Sequence, residues 1–251
     1  MRVLLSIVAL ASVAVLGCSG TDAGKDTARD TSAPAQRDER ADAMSGAAAV
    51  GEDSAASSGA PTMLIVGTSL TAGLGLDPAE AYPAVLQRMA DSAGYGVRIV
   101  NAGLSGETSA GALRRLEWLL REPAAVVMIE TGANDGLRGL DVDSTRANLV
   151  AIVRLVKRAL PAASVLLVQM EAPPNLGADY TRRFHDSYGA VAAAEGATLL
   201  QFLLEGVAGV RKLNQGDGIH PTVEGAKRVA GNVWPALGPI LSRLAKPGMT
   251  G

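Results

Sequence analysis

Cysteine occurs once in this chain of 251 residues, at Cys18, which excludes an internal disulfide. Histidine occurs twice, at His185 and His220, and two dispersed histidines with one cysteine do not supply the clustered ligands of a metal hydrolase. Aromatic residues are only 3% of the chain, too few for a platform that stacks nucleic-acid bases. Neither sign of charge dominates: the formal net charge is -2, which sets up no strong field toward nucleic acid. Residues 67–76 hold no lysine, and Gly73-Leu74-Gly75 lacks the third glycine of a dinucleotide fingerprint. The G-x-S-x-G elbow is missing as well, because Thr71 stands two places after Ser69. No fixed repeat is visible. No metal, no cofactor and no nucleic-acid partner are therefore expected.

Long apolar runs are scarce too. One stands at the amino end, where Met1-Arg2 precedes the uncharged stretch Val3 to Leu16. That run is short for a membrane span and has the shape of a signal-peptide core. Val15-Leu16-Gly17-Cys18 follows it and resembles a bacterial lipoprotein signal. The resemblance implies removal of residues 1–17, lipidation of Cys18, export, and anchoring to a membrane of the cell envelope. An uncleaved anchor is the structural alternative. Several acyl chains hold a protein firmly where one is marginal. The rest of 18–60 is rich in Ala, Ser, Thr, Gly and Asp and holds only Met44 and Val50 as larger apolar residues. Such a segment cannot bury enough surface to offset its ordering entropy. It reads as a flexible tether spanning roughly 35 Å.

What is present begins near residue 61. Apolar runs suited to strands lie at Met63–Val66, Val97–Val100, Ala125–Ile129, Val165–Gln169 and Thr198–Leu200. Between them the apolar spacing is helical, over Tyr82–Ala93, Ser109–Leu120, Ser144–Leu160, Tyr180–Glu195 and Thr222–Leu244. Alternating strands and helices predict an α/β domain over 61–246, with 247–251 as a tail. A mostly parallel five-stranded sheet is expected, covered on both faces to make three layers. Trp118 and Trp234 fall at apolar helix positions and read as packing.

Ligands of such sheets bind beyond the carboxyl ends of the strands. The reactive residues just past strand ends are Ser69, the Asn101–Gly106 loop, Asn134, and Gln169–Asn175. Acyl transfer needs a nucleophile, a base, a group to orient the base, and donors for the oxyanion. His185 sits inside a helix and reads as a surface residue. His220 sits in Gly216-Asp217-Gly218-Ile219-His220-Pro221, where Asp217 can fold back onto its Nδ1. The same loop is equally well a helix entry, with Asp217 making local turn bonds and Pro221 starting the helix.

Gly67-Thr68-Ser69-Leu70, Asn101-Ala102-Gly103, Gly132-Ala133-Asn134-Asp135 and Asp217-Gly218-Ile219-His220 resemble, in order, the four blocks of the SGNH (GDSL) hydrolases. The likeness spans almost all of Met63 to Leu244. It is greatest to the compact bacterial thioesterase, lysophospholipase and arylesterase group. It implies a flavodoxin-like fold and a serine esterase acting on aryl or alkyl esters, with thioesters and lysophospholipids in the same chemistry. Ser69 would be the nucleophile, His220 the base and Asp217 its orienter. The Ser69 amide, the Gly103 amide and the Asn134 side chain would form the oxyanion hole. The family's first block carries Asp where this chain has Thr68, so weaker bracing of the nucleophile loop is expected. Asp135 and Glu130 read as braces. Leu74, Leu76, Leu104, Met170 and Leu176 suggest an apolar acyl pocket, walled by 169–177 and by Leu203 to Asn214. A small-molecule or lipid ester is the expected partner, and the domain is expected to be a monomer. A second reading keeps the fold as a non-catalytic binding domain of an envelope lipoprotein.

Overall fold

The computed structural model describes residues 59–245. The signal at 1–17, Cys18, nearly all of the tether expected over 18–60, and the tail at 247–251 lie outside the described residues. Five strands form one sheet: β1 Thr62–Gly67, β2 Arg98–Gly103, β3 Val126–Ile129, β4 Ser164–Val168 and β5 Thr198–Leu200. Their order is β2-β1-β3-β4-β5, and every pairing is parallel. β1, β3 and β4 are the three central strands, and their Val/Ile/Leu/Met runs are almost wholly buried. That is the expectation for strands covered on both faces. The edge strands differ. β2 is only half-buried, and Leu199 on β5 is exposed. β2 also runs three residues past its expected end at Val100. Asn101, Ala102 and Gly103 stay in register with Ile65, Val66 and Gly67, so the ladder continues into the polar residues.

Seven α-helices occur among the described residues: α1 Ser69–Ala72, α2 Tyr82–Ser92, α3 Ser109–Leu119, α4 Ala133–Leu137, α5 Val142–Ala159, α6 Ala178–Glu195 and α7 Val223–Ala245. α5 shows how the sequence sets a helix. Asp141 caps it by accepting the Ser144 amide, which moves its start two residues ahead of the expected Ser144. Leu149, Ile152, Val153 and Val156 then fall on one buried stripe. The chain goes from β1 outward to β2 and back across to β3, so right-handed crossovers place α2 and α3 on opposite faces. α2 packs with α7, and α5 packs with both α3 and α6, giving a helical layer on each face. The reversal of direction at β1 opens the carboxyl edge of the sheet between the turns that follow β1 and β3. Trp234 is half-buried and stacks on Tyr95 with ring centroids 6.0 Å apart. Trp118 corrects the packing expectation: it is 66% exposed, because it points off the outer side of α3 while Ala112 and Leu116 face the core.

Candidate active site

The buried run of β1 stops at Gly67, where any Cβ would collide with the Thr71 hydroxyl and the Glu130 carboxylate. Thr68 is extended, and Ser69 then opens the four-residue α1, closed by Gly73. First-turn amides of a helix have no intrahelical acceptor. The Ser69 N–H accordingly has no partner among the described residues.

The second half of the site comes from the loop before α7. Asn214 bridges Pro221, the Gln215 N–H donates to the His220 carbonyl at 2.7 Å, and the Gly218 N–H donates to the Gln215 carbonyl. The Gln215 side-chain amide ties the loop to the turn after α1 by donating to the Leu74 carbonyl at 2.7 Å, and it closes the loop on itself by donating to the Pro221 carbonyl at 2.9 Å. Asp217 Oδ1 accepts the amides of Ile219 and His220, at 2.9 and 3.0 Å. Its Oδ2 meets His220 Nδ1 at 2.6 Å, and His220 Nε2 meets Ser69 Oγ at 2.8 Å. One carboxylate therefore makes the turn and takes the imidazole, but Pro221 does not start the helix: it sits in the bridge to Asn214, and Thr222 leads into α7 at Val223. The His220 side-chain bond, then the two amides, hold the Asp217 carboxyl down at about 2. An ionised Asp217 accepts from Nδ1–H, which leaves Nε2 as the acceptor of the Ser69 hydroxyl.

The third block sits on α4. The Asn134 side-chain amide donates one hydrogen to the Glu107 carbonyl at 3.0 Å and keeps the other. Glu107 is held from below by Arg115, whose Nε and Nη2 reach its carboxylate at 2.6 and 2.7 Å while Nη2 also reaches the Ala102 carbonyl at 2.8 Å. Asp135 accepts the Ser109 amide at 2.8 Å, its hydroxyl, and the Thr145 hydroxyl, so it braces the start of α3 against α4 as expected. His185 is exposed and pairs with Glu171 at 2.7 Å, in keeping with a surface role.

Gly103 requires a correction. Its single N–H donates to Asn101 Oδ1 at 2.9 Å and is not open to a substrate oxygen. Its missing Cβ serves packing instead, since a side chain there would run into the Ala72 backbone. The amides of this loop without a partner among the described residues are at Ser105, Gly106 and Thr108. Gly106 adopts φ 77°, a conformation that L side chains rarely take, and its neighbour Glu107 carries Asn134. The Ser105-Gly106 turn was the signal that marked this amide.

The apolar wall is also redrawn. Leu74 and Leu104 are exposed, at 46% and 51%. Met170 is 2% exposed and belongs to the core, because the chain stays between the two helical layers for two residues after β4. Leu176 is half-buried over Gly139, and Leu76 packs on the core. Leu203, Leu204 and Val207 are core residues, and Asn214 is spent on the carbonyls of Val207 and Val210. Leu203 to Asn214 is thus a structural span, not a wall. Leu137, Leu140 and Ile219 are exposed apolar side chains that the sequence did not single out.

Thr68 is braced more fully than its lack of charge suggested. Its N–H and its hydroxyl both donate to Glu130, at 2.9 Å each, and Thr71 adds a hydroxyl at 2.8 Å while contacting the Tyr82 hydroxyl at 2.7 Å. Two carboxylates facing each other here would have to share a proton. Thr68 instead supplies donors to the one acid present. Burial pushes the Glu130 carboxyl up from 4.5 to about 7, against the pull of its hydrogen bonds. The unfolded chain gives up this proton near 4.5 and the folded chain near 7, so ionisation costs the fold about 3 kcal/mol as pH rises through that window. Urea unfolding should therefore show stability falling between pH 5 and 8. Glu130→Gln should flatten that slope, since an amide oxygen can keep the Thr68 and Thr71 bonds. An unchanged slope in the variant assigns the pH dependence elsewhere.

Comparison with known proteins follows the same outline. The family described as GDSL-like Lipase/Acylhydrolase matches residues 65–228. Esterase TesA of Pseudomonas aeruginosa is 46% identical over 183 residues, 72% of this chain and 90% of that protein. Thioesterase 1/protease 1/lysophospholipase L1 of Escherichia coli K12 is 36% identical over 184 residues, 73% of this chain and 86% of that protein. A crystal structure of TesA superposes with a TM-score of 0.68 at 46% identity, covering 71% of this chain and 99% of that one.

Proposed function

The chain belongs to the GDSL-like lipase/acylhydrolase family and is a serine esterase, and from that premise we propose that Ser69, His220 and Asp217 carry its reaction. His220 Nε2 takes the Ser69 proton as Oγ attacks the ester carbonyl, and the developing oxyanion is met by the Ser69 N–H, the Gly106 N–H and the spare Asn134 hydrogen. Collapse of that intermediate expels the alcohol, which takes its proton from His220. Water then enters, His220 removes its proton, and the acyl-enzyme is hydrolysed to acid and free Ser69. Asp217 holds the imidazole in the tautomer that makes each transfer possible. The observation that carries this reading is the 2.8 Å contact between Ser69 Oγ and His220 Nε2, made across 151 residues of sequence.

The substrates are small carboxylic esters, aryl or alkyl. Thioesters and lysophospholipids fall within the same chemistry, because the attacked carbon is the same. Activities of these kinds stand in the names of the relatives. The apolar acyl side would lie against Leu74, Leu104 and Leu176. Cys18 and the apolar run before it support export and a lipid anchor at the cell envelope.

An alkylphosphonate ester with a good leaving group tests the assignment. It should attach once, at Ser69, and mass mapping should find no label on Ser69→Ala. Attachment at another residue, or none at all, overturns it.

A further inference from the structure

Beyond the triad, the loop between β2 and α3 borders an open cleft of about 450 Å³ whose lining includes Leu104 to Thr108 and three arginines, Arg114, Arg115 and Arg138. Arg115 is fully engaged by Glu107 and the Ala102 carbonyl. The other two have no carboxylate partner among the described residues. Among the described residues Arg138 makes one side-chain bond, donating to the Gly106 carbonyl at 3.0 Å, and Arg114 makes none. Among the described residues Glu107 is the only acid lining the cleft, and Arg115 neutralises it. Asp135 is turned inward onto Ser109, and Glu117, one turn beyond Arg114, forms no ion pair among the described residues. Arg114 and Arg138 thus line the cleft with no carboxylate in contact among the described residues.

Its position joins it to the reaction centre. Arg138 follows Asn134 by four residues, with the Arg138 N–H on the Asn134 carbonyl at 3.2 Å. Side chains at that spacing lie roughly 6 Å apart on one helix face. Gly106, whose carbonyl Arg138 holds, is the residue whose amide faces the oxyanion in the mechanism above. An ester carbonyl seated at Asn134 therefore has a guanidinium within a few bonds. Guanidinium forks match the oxygens of phosphate and carboxylate in pairs, and such charge-assisted bonds are about twice as strong as neutral ones. We propose that the cleft between the 104–108 loop, Arg114 and Arg138 is a subsite for an anionic substituent, phosphate or carboxylate, carried on the ester a few bonds from the scissile carbonyl. The proposal rests on the esterase reading for its setting, and it turns an otherwise tolerant apolar site into one with a preference.

Three soluble short-chain esters test it in the full chain: one neutral, one with a phosphate on the alcohol, and one with a carboxylate ending the acid. At low salt, kcat/KM for at least one charged ester should exceed that for the neutral one by about tenfold. The charged ester that gains identifies the half of the substrate that bears the anion. That ratio should fall by about tenfold in Arg138→Gln and in Arg114→Gln, mostly through KM, and recover in part in Arg138→Lys. Reading a ratio removes any general loss caused by the lost Gly106 bond. In parallel, calorimetry on Ser69→Ala should show glycerol phosphate binding that weakens about tenfold with Arg138→Gln. An active enzyme with ratios near one, unchanged by the variants, overturns the subsite and leaves the esterase intact. Hydrolysis of none of the three esters overturns the esterase, while the calorimetric arm still decides the subsite.

Discussion

Ser69→Ala is expected to lower kcat on a chromogenic short-chain ester by about 10⁴- to 10⁶-fold, with little change in KM. The hydroxyl is the only group removed. The Ser69 amide stays at the first position of α1, and the Asn134 and Gly106 donors do not depend on the side chain. A residual rate above that in water should therefore persist, because polarisation of the carbonyl outlives loss of the nucleophile. Stability should scarcely move, since the side chain makes one hydrogen bond, to His220, from a half-buried position. Thermal melts with initial rates separate the two effects. Parent and variant turning over the ester equally would place the nucleophile elsewhere, and a large fall in melting temperature would leave the rate loss attributable to unfolding.

The layered architecture was legible because its strands are short and bounded by turns. The buried triplet β1, β3 and β4 is written in uninterrupted runs such as Val126–Ile129, and the amphipathic helices in spacings such as Leu149-Ile152-Val153-Val156. α1 and α4 were not legible. Four or five residues carry no period, and these turns form because Thr68 and Asp135 are pinned by Glu130 and by Ser109 and Thr145, partners far off in sequence. The site was legible as four blocks in order, and the 217–220 spacing alone told that carboxylate and imidazole could meet. The oxyanion glycine was misplaced for a physical reason. Gly103 and Gly106 look alike in sequence, and only the side chain of Asn101, folding onto the nearer amide, separates them. Met170 failed similarly: its hydrophobicity suited a wall or a core, and the path of the chain after β4 chose the core. The arginine cleft needed α3, α4 and the 104–108 loop to come together, which no local spacing announces.

Asp217→Asn should cost about 10⁴ in kcat while leaving the fold in place. The argument lies in the two faces of the carboxylate. Oδ1 accepts two backbone amides, from Ile219 and His220, and Oδ2 faces Nδ1 of the imidazole. An asparagine has one oxygen to give. Turned toward the two amides it keeps both bonds, and its NH2 then points at Nδ1. That donor forces Nδ1 to be the acceptor and puts the ring proton on Nε2, where it blocks transfer from Ser69. Turned the other way, the asparagine preserves the tautomer but sets its NH2 against two backbone donors, so the loop's own bonds select the inactive arrangement. Stability gives a second readout. The carboxyl is depressed to about 2 in the folded protein, so its favourable share is complete above about pH 4 and is lost as pH falls toward 2. The side chain is nearly half exposed, which keeps that share small. Between pH 5 and 3 the parent should lose slightly more thermal stability than the variant. A variant that keeps within about tenfold of parental kcat means that Asp217 does not set the tautomer, and Asn134 and the helix-start amides would then have to account for most of the rate.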